Sequence, residues 1–267
     1  MINNSRYLAG AFHVIAHRGG ALEAPENTMA AFDHAAKIYN EMIFEIDVHR
    51  TRDGEVVVIH DDTLDRTTNG HGNVHDLNLV EIKKFDAGYH FINDGGHPFR
   101  NKNVRVPTLI EVLKTHPQSR MSIEIKRANP HFEDLVVKIV EDAGATDRVC
   151  LAGEHHNILS KARSASPRMC SGFSSREILQ TLIFNRTGLT FLLPQEGDVY
   201  QIPIEHKGIQ VFSQKLINVA HKNKKAVHVW TINNQSIMAQ LIKEGADGII
   251  TDAPSLLLKV ARELKKI

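Results

Sequence analysis

The sequence has little of several features that mark specialised classes of protein. It has two cysteines, Cys150 and Cys170, and one tryptophan in 267 residues, which excludes a small scaffold held by many disulfide bonds. Both cysteines lie in short apolar stretches, where a buried free thiol behaves as a small hydrophobic residue, so we expect them unpaired. No run of roughly 18 or more apolar residues occurs, and the sequence therefore predicts no transmembrane helix.

The sequence also lacks an excess of charge of either sign. Lysine and arginine number 32, aspartate and glutamate number 31, and the net charge is +1. Such a balance gives no broad electrostatic field for nucleic acid, so affinity for phosphate must come from a few positioned side chains. This favours a small-molecule substrate. The first ten residues lack the basic start of a secretory signal, and we expect a cytoplasmic protein.

Short apolar runs alternate with longer segments of helical period, which is typical of βαβ units around a parallel sheet. The runs are continuously apolar, as expected for strands that are covered on both faces. The predicted strands are 12–17, 42–48, 121–126, 148–152, 168–172, 199–203, 226–231 and 248–251. The predicted helices are 28–39, 109–116, 130–143, 158–165, 174–186, 213–222, 234–244 and 254–266. The length would also allow two modest domains, but this pattern predicts an α/β fold, one TIM (β/α)8 barrel across residues 1–267.

One long segment departs from this alternation. Residues 61–106 are rich in Asp, Asn, Gly and His, with only a short helical pattern around 79–85. This segment is too long for a plain connection in a compact domain, and such segments are usually functional loops or small insertions. We expect an insertion that lies beside the active site.

His17 and Arg18 end the first predicted strand. In a barrel, the carboxyl ends of the strands face the catalytic mouth. The pair offers a titratable base beside a planar cation that binds two phosphate oxygens at once. A core histidine next to a surface cation would also explain it. The segment 25–28 that follows predicts a turn and a helix cap.

Two carboxylates, Glu45 and Asp47, lie two residues apart on the second predicted strand. Alternate residues of a strand point to the same face, so these carboxylates project together and resist joint ionisation. A hard cation such as Mg²⁺ or Ca²⁺ would remove this conflict. Two separate salt bridges are the alternative interpretation.

A further apolar strand, 56–59, ends in His60. The Asp53-Gly54 pair before it is a tight-turn signal, which folds this strand back beside the second strand and brings His60 close to the carboxylates. We do not select His49, because we expect its side chain to lie on the opposite face from Asp47.

Glu124 and Lys126 lie on one face of the next predicted strand. Glu124 can supply a third carboxylate, and Lys126 can bind a phosphate oxygen as a point charge. An ion pair on an edge strand is the alternative, but an unpaired charge in so apolar a strand would be costly. Function is therefore the better interpretation.

Trp230 and Asp252 lie near the ends of the last two predicted strands. We expect the Trp230 ring at or near the mouth, where an amphipathic ring can line a polyol site, although core packing would explain it as well. We expect Asp252 mainly to cap the turn that closes the barrel.

Taken together and in order, these motifs resemble the signature set of the glycerophosphodiester phosphodiesterase family. The set comprises His17-Arg18-Gly19, Pro25-Glu26-Asn27-Thr28, Glu45-Ile46-Asp47, His60-Asp61, Glu124-Ile125-Lys126, Val229-Trp230-Thr231-Ile232-Asn233 and Gly248-Ile249-Ile250-Thr251-Asp252-Ala253-Pro254. No single motif is specific, but the ordered set is, and it runs through nearly the whole chain.

The resemblance implies a TIM barrel with a small insertion after the second strand, and hydrolysis of glycerophosphodiesters to glycerol 3-phosphate and an alcohol. It also implies one divalent cation, Mg²⁺ or Ca²⁺, on Glu45, Asp47 and Glu124, with catalysis by His17 and His60. Arg18, Lys126 and Trp230 are the expected substrate-binding residues. We expect no nucleic acid partner and no stable membrane insertion.

The chain departs from the family pattern after the fourth predicted strand. Many members carry a Ser-Phe pair there, whereas this chain reads Ala152-Gly153-Glu154-His155-His156, which leaves the leaving alcohol open. Action on a lysophospholipid or an inositol lipid is one alternative, with few apolar residues for a lipid-binding rim beyond Phe85, Tyr89 and Phe91. A non-catalytic barrel is less favoured, because both histidines and all three carboxylates are present.

Overall fold

The computed structural model describes residues 5–126, 131–187 and 189–267. Its strands are β1 (His13–Ala16), β2 (Ile43–Arg50), β3 (Val56–Val58), β4 (Arg120–Ile125), β5 (Val149–Ala152), β6 (Cys170–Ser171), β7 (Val199–Pro203), β8 (Glu205–His206), β9 (Ile209–Gln210), β10 (Ala226–Trp230) and β11 (Gly248–Thr251). Eight of them pair in parallel in the order β6, β5, β4, β2, β1, β11, β10, β7. A single parallel bridge between Gly172 and Val199 joins the two ends of this sheet. The predicted TIM barrel is confirmed.

Helices surround the barrel. They are α1 (Met29–Ile38), α2 (Leu79–Ile82), α3 (Leu109–Thr115), α4 (Phe132–Asp142), α5 (His156–Ala165), α6 (Ser175–Thr187), α7 (Gln214–Lys222), α8 (Gln235–Glu244) and α9 (Pro254–Glu263). Several begin at a polar side chain that accepts a backbone hydrogen bond, as Thr28, Ser213 and Asn234 do. Pro130, the predicted start of the helix that corresponds to α4, lies outside the described residues. No helix among the described residues is long and apolar enough to cross a membrane.

Six of the eight predicted strands have different bounds in the structure, by one or two residues at an end. The first strand ends at Ala16, because His17–Gly19 form a 3-10 turn in which Gly19 has a φ of 84°. A side chain at Gly19 would meet Ala31 and Phe32 of α1, so only glycine lets this turn pack on the helix. The fifth predicted strand, 168–172, shrinks to Cys170–Ser171, and the second extends to Arg50.

The two cysteines are free and buried on neighbouring strands, as predicted. They pack inside the barrel with Tyr7, Ile15 and Ile43. Tyr7 is fully buried at the end where the strands begin, and we call this the closed end. The opposite end, where the strands finish, is the open end.

The predicted hairpin brings β3 antiparallel beside β2, with Val58 paired to Val48. The segment 61–106 follows and contains α2 and a 3-10 turn at Val74–Asp76. Its apolar side chains, Leu64, Val74 and Ile82 among them, form a small core of their own against β3. That the chain is one domain across residues 1–267 stays a prediction.

Candidate active site

Three carboxylates converge at the open end. The register of β2 and β4 places Asp47 beside Glu124 and Glu45 beside Ser122. Oxygen atoms of Glu45, Asp47 and Glu124 lie within 4.8 Å of one another. Glu45 and Asp47 are buried and Glu124 is partly exposed, so the cluster opens toward the mouth on the Glu124 side.

Cationic side chains partly balance this cluster. Lys126 Nζ lies 2.9 Å from Asp47 Oδ1 and 2.9 Å from Glu124 Oε1, and Arg18 Nε lies 3.4 Å from Asp47 Oδ2. Burial alone would raise the pKa of Asp47, but Lys126 and then His60 hold it below its ordinary value. The Arg18 backbone amide donates to Glu45 Oε2 at 3.0 Å.

Glu45 remains under-compensated. Burial, and then repulsion from Asp47, raises the pKa of Glu45 to about 8. The donor set consists of oxygen atoms with a net negative charge, which is what Mg²⁺ and Ca²⁺ prefer. These residues therefore fit one divalent cation, since it would relieve the repulsion that burial enforces.

His17 lies beside this cluster. Its Nδ1 donates to Asp252 Oδ1 at 2.6 Å, and its Nε2 lies 3.9 Å from Glu45 Oε2. Burial lowers the pKa of His17, but the Asp252 hydrogen bond and the Glu45 charge outweigh it and raise the pKa overall. Asn233 donates to the other Asp252 oxygen at 2.7 Å. Asp252 thus orients His17, a role beyond the cap that the sequence indicated.

His60 has a similar arrangement. Its Nδ1 donates to Asp61 Oδ1 at 2.6 Å, so its Nε2 remains available to a ligand. Burial would raise the pKa of Asp61, but Arg66 and His60 lower it to about 2. Each histidine therefore has a carboxylate partner: Asp252 directly follows β11, and Asp61 lies three residues after the end of β3.

The expectation for His49 was wrong. Because β2 continues to Arg50, His49 has the same parity as Asp47 and lies on the same face. Its side chain is buried, and its Nε2 donates to the His60 carbonyl at 2.9 Å. His49 therefore supports His60 instead of binding a ligand itself.

The segment 25–28 does more than cap α1. Thr28 is the helix cap, as predicted, but Glu26 accepts from Arg18 Nη1 at 2.9 Å and Asn27 donates to Asp47 Oδ2 at 2.8 Å. Asn27 has a φ of 55°, which is the left-handed region that asparagine tolerates better than most residues. This turn thus orients one predicted phosphate-binding residue and one carboxylate.

Trp230 ends β10 at the open end, and the residue is 39% exposed. It forms no hydrogen bond to the carboxylate cluster in the described part of the chain. The structure thus gathers His17, Arg18, Lys126 and the three carboxylates through direct contacts, and it places Trp230 at the same end of the barrel without such a contact. His60 is near enough for its charge to lower the pKa of Asp47.

Sequence reasoning missed Asp252, Asp61, Glu26 and Arg66 as parts of this site. One signal could have indicated the first two: a catalytic histidine needs an acceptor for its second ring nitrogen. Asp61 is adjacent to His60 in the sequence, and Asp252 follows the strand that pairs with β1. Glu26 belongs to the segment 25–28, which was predicted only as a turn and a helix cap, and nothing local in the sequence marks Arg66.

Comparisons with known proteins agree with this geometry. The model of the Glycerophosphoryl diester phosphodiesterase family matches residues 17–256. A glycerophosphodiester phosphodiesterase of Caldanaerobacter subterraneus subsp. tengcongensis is 34% identical over 257 residues, covering 94% of this chain and 98% of that protein. Lysophospholipase D GDPD1 of Mus musculus is 29% identical over 264 residues, covering 91% and 84%.

Solved structures share the fold. A glycerophosphodiester phosphodiesterase from Agrobacterium tumefaciens superposes with a TM-score of 0.73 at 24% identity, covering 93% of this chain and 99% of that one. An Oleispira antarctica phosphodiesterase, solved in complex with the product sn-glycerol-3-phosphate, gives a TM-score of 0.75 at 23% identity, covering 94% and 96%.

Proposed function

We propose that this chain, which belongs to the glycerophosphoryl diester phosphodiesterase family, hydrolyses a small glycerophosphodiester to glycerol 3-phosphate and an alcohol. That it is a phosphodiesterase follows from the family. The observation that supports the finer reaction is the joint presence of two histidines, each bonded through Nδ1 to a carboxylate, beside three clustered carboxylates. We further propose that the protein works in the cytoplasm.

Glu45, Asp47 and Glu124 would hold one divalent cation, Mg²⁺ or Ca²⁺. When bound, it supplies positive charge that offsets the phosphate charge and the charge that develops in the transition state. Arg18 and Lys126 would bind phosphate oxygens. Both side chains lie beside Asp47, and therefore beside the position that the divalent cation and the phosphate would share. Trp230 would line the glycerol or alcohol side of the pocket.

In the proposed reaction, His17 Nε2 accepts the proton of a substrate glycerol hydroxyl, and that oxygen bonds to phosphorus. His60 Nε2 donates a proton to the departing alcohol oxygen as its bond to phosphorus breaks. The product is a cyclic glycerol phosphate, which one water molecule opens with the two histidines in exchanged roles. Asp252 and Asp61 hold each imidazole with its Nε2 toward the mouth.

A second candidate is action on a lysophospholipid. Its support is a set of exposed apolar residues on segments that follow strands at the open end: Leu22 at 59%, Ile92 at 61% and Ile209, in β9, at 46% exposure. The lysophospholipase D relative is consistent with it. The sequence indicated few apolar residues for a lipid-binding rim beyond Phe85, Tyr89 and Phe91. The exposed residues above add support for a lysophospholipid substrate, but it stays the second candidate.

The test is release of glycerol 3-phosphate from glycerophosphocholine, glycerophosphoethanolamine and glycerophosphoglycerol, and of lysophosphatidic acid from lysophosphatidylcholine. His17→Ala and His60→Ala should each lower kcat by about 10²–10⁴-fold, while circular dichroism confirms folding. Release from the lysophospholipid alone would favour the second candidate. No release from any substrate, with Mg²⁺ or Ca²⁺ added, would reject both.

A further inference from the structure

Arg66, in the segment 61–106, lies between two carboxylates of the site, those of Asp61 and Glu26. Arg66 Nε donates to Asp61 Oδ2 at 2.7 Å, and Nη2 donates to Asp61 Oδ1 at 3.1 Å. On its other edge, Nη1 donates to Glu26 Oε2 at 2.7 Å and Nη2 to Glu26 Oε1 at 2.8 Å. One guanidinium thus holds two carboxylates with four hydrogen bonds.

Each of these carboxylates bonds to a residue of the site. Asp61 accepts from His60 Nδ1 at 2.6 Å, and Glu26 accepts from Arg18 Nη1 at 2.9 Å. The chain of contacts His60, Asp61, Arg66, Glu26 and Arg18 is therefore continuous. It links the proposed acid to the proposed phosphate-binding cation.

We propose that Arg66 is a positioning residue that aligns His60 with Arg18 through Asp61 and Glu26. The inference rests on the proposed function, because alignment matters only if both groups act on one phosphodiester. It also gives the segment 61–106 a part in the reaction. Catalytic geometry tolerates little error, and a displacement of about 1 Å can cost 10²-fold in rate.

The geometry requires arginine. The two carboxylates lie on different edges of the guanidinium plane, and only a planar fork with several N–H groups reaches both. A lysine ammonium is a point charge and cannot keep two bidentate contacts. Burial opposes ionisation of Glu26, but Arg66 and Arg18 lower its pKa below the ordinary value, so Glu26 is the charged partner this fork needs.

The backbone on each side holds Arg66 in place. Leu64 is fully buried in the small core of the segment, and Thr68 is fully buried with its hydroxyl donating to the Leu64 carbonyl at 2.9 Å. The Thr68 amide donates to the same carbonyl at 3.0 Å. Arg66 thus extends from a closed turn, although its own side chain is 47% exposed.

The matched control is Arg52. It is also a half-exposed arginine, and it joins the same segment to the hairpin through Asn78 at 3.0 Å and Glu81 at 2.9 Å. Neither partner contacts a histidine or Arg18 in the described residues. Arg52→Ala therefore removes a comparable surface contact and leaves the site alone.

The experiment compares Arg66→Ala, Arg66→Lys and Arg52→Ala on two substrates with bound divalent cation. Glycerophosphocholine needs a proton on its leaving alcohol, whereas a glycerophosphodiester of p-nitrophenol releases a stable anion without one. Arg66→Ala should lower kcat about 10–100-fold on the choline ester and only about threefold on the nitrophenyl ester. Arg66→Lys should resemble Arg66→Ala, and Arg52→Ala should resemble wild type on both.

A double-mutant cycle with Asp61→Asn sharpens the result. If Arg66 acts through Asp61, the loss of activation free energy in the double variant, calculated from kcat, should be smaller than the sum of the losses in the two single variants. Equal losses on both substrates, or no loss beyond that of Arg52→Ala, would overturn the assignment while leaving the proposed function standing. A wild type inactive on both esters would overturn the proposed function and the assignment with it.

Discussion

Strand β11 has an aspartate at each end, and each aspartate bonds to a histidine. At the closed end, Asp247 Oδ2 accepts from His221 Nε2 at 2.9 Å and from the Val227 amide at 2.8 Å. At the open end, Asp252 accepts from His17 Nδ1 at 2.6 Å. The bond is similar, but only His17 lies beside a carboxylate cluster. An Asp–His pair is therefore a site only where other charged groups converge on it.

The barrel interior repeats this contrast. At the closed end, His13 Nδ1 and His228 Nε2 lie 2.8 Å apart, on the two strands that flank β11, in one row with Gly248. Burial lowers the pKa of His13 to about 4 and the pKa of His228 well below its ordinary value. These imidazoles stay neutral and pack, whereas carboxylates at the open end make His17 more basic.

The largest expected difference between the two ends is in activity. Asp252→Asn should lower kcat by about 10²–10³-fold, because an amide no longer fixes the His17 tautomer with a negative charge. Asp247→Asn should leave kcat within about twofold. Steady-state kinetics on one glycerophosphodiester measures both. Equal effects of the two substitutions would contradict the distinction between the ends.

The closed end should control acid stability. The unfolded chain binds a proton on His13 at the ordinary pKa of 6.5, whereas folded His13 does so near 4. The stability that neutral His13 contributes is therefore complete above pH 6.5 and is lost as the pH falls toward 4. Its size is on the order of 3 kcal/mol.

Denaturant unfolding between pH 4 and 7 tests this. His13→Asn with His228→Gln keeps amide groups near Nδ1 and Nε2 but removes the titration, so the difference in pH dependence from wild type isolates the pair. The Arg120 cation, which also lowers the pKa of both histidines, is unchanged. Parallel curves for the two proteins would reject the assignment.

A smaller effect is expected at Gly248. A methyl group there would lie 2.8 Å from His13 Cβ, 2.9 Å from His228 Cδ2 and 3.0 Å from the His13 carbonyl oxygen. Gly248→Ala should lower stability by about 1–3 kcal/mol, seen as a lower Tm, without changing kcat of the folded enzyme. Gly96→Ala, where the nearest atom is the Asn93 oxygen at 3.7 Å, is the control. An unchanged Tm for Gly248→Ala would show that the row is loosely packed.

The sequence predicted the barrel because each strand is a continuous apolar run covered on both faces, and this pattern is local. It placed Glu45, Asp47, Glu124 and His17 at one end because strand ends in a barrel share a face. It could not place Arg66, because an irregular segment has no periodicity from which a side-chain direction follows.

The contact between His13 and His228 could not be predicted from the sequence either. These residues lie on strands 215 positions apart, and their meeting depends on the glycine between them in the row. The orientation of His49 could have been predicted, because alternate residues of a strand that continues to Arg50 place it on the same face as Asp47.

The most direct test of a metal-dependent open end follows one preparation through removal and return of the cation. Glycerol 3-phosphate release from glycerophosphocholine is measured before EDTA, after EDTA, and after Mg²⁺ or Ca²⁺ is restored, for wild type and Glu124→Gln. The account predicts that wild type loses and regains activity, while Glu124→Gln stays low at cation concentrations that saturate wild type. Full wild-type activity in EDTA, or an undiminished Glu124→Gln, would contradict it.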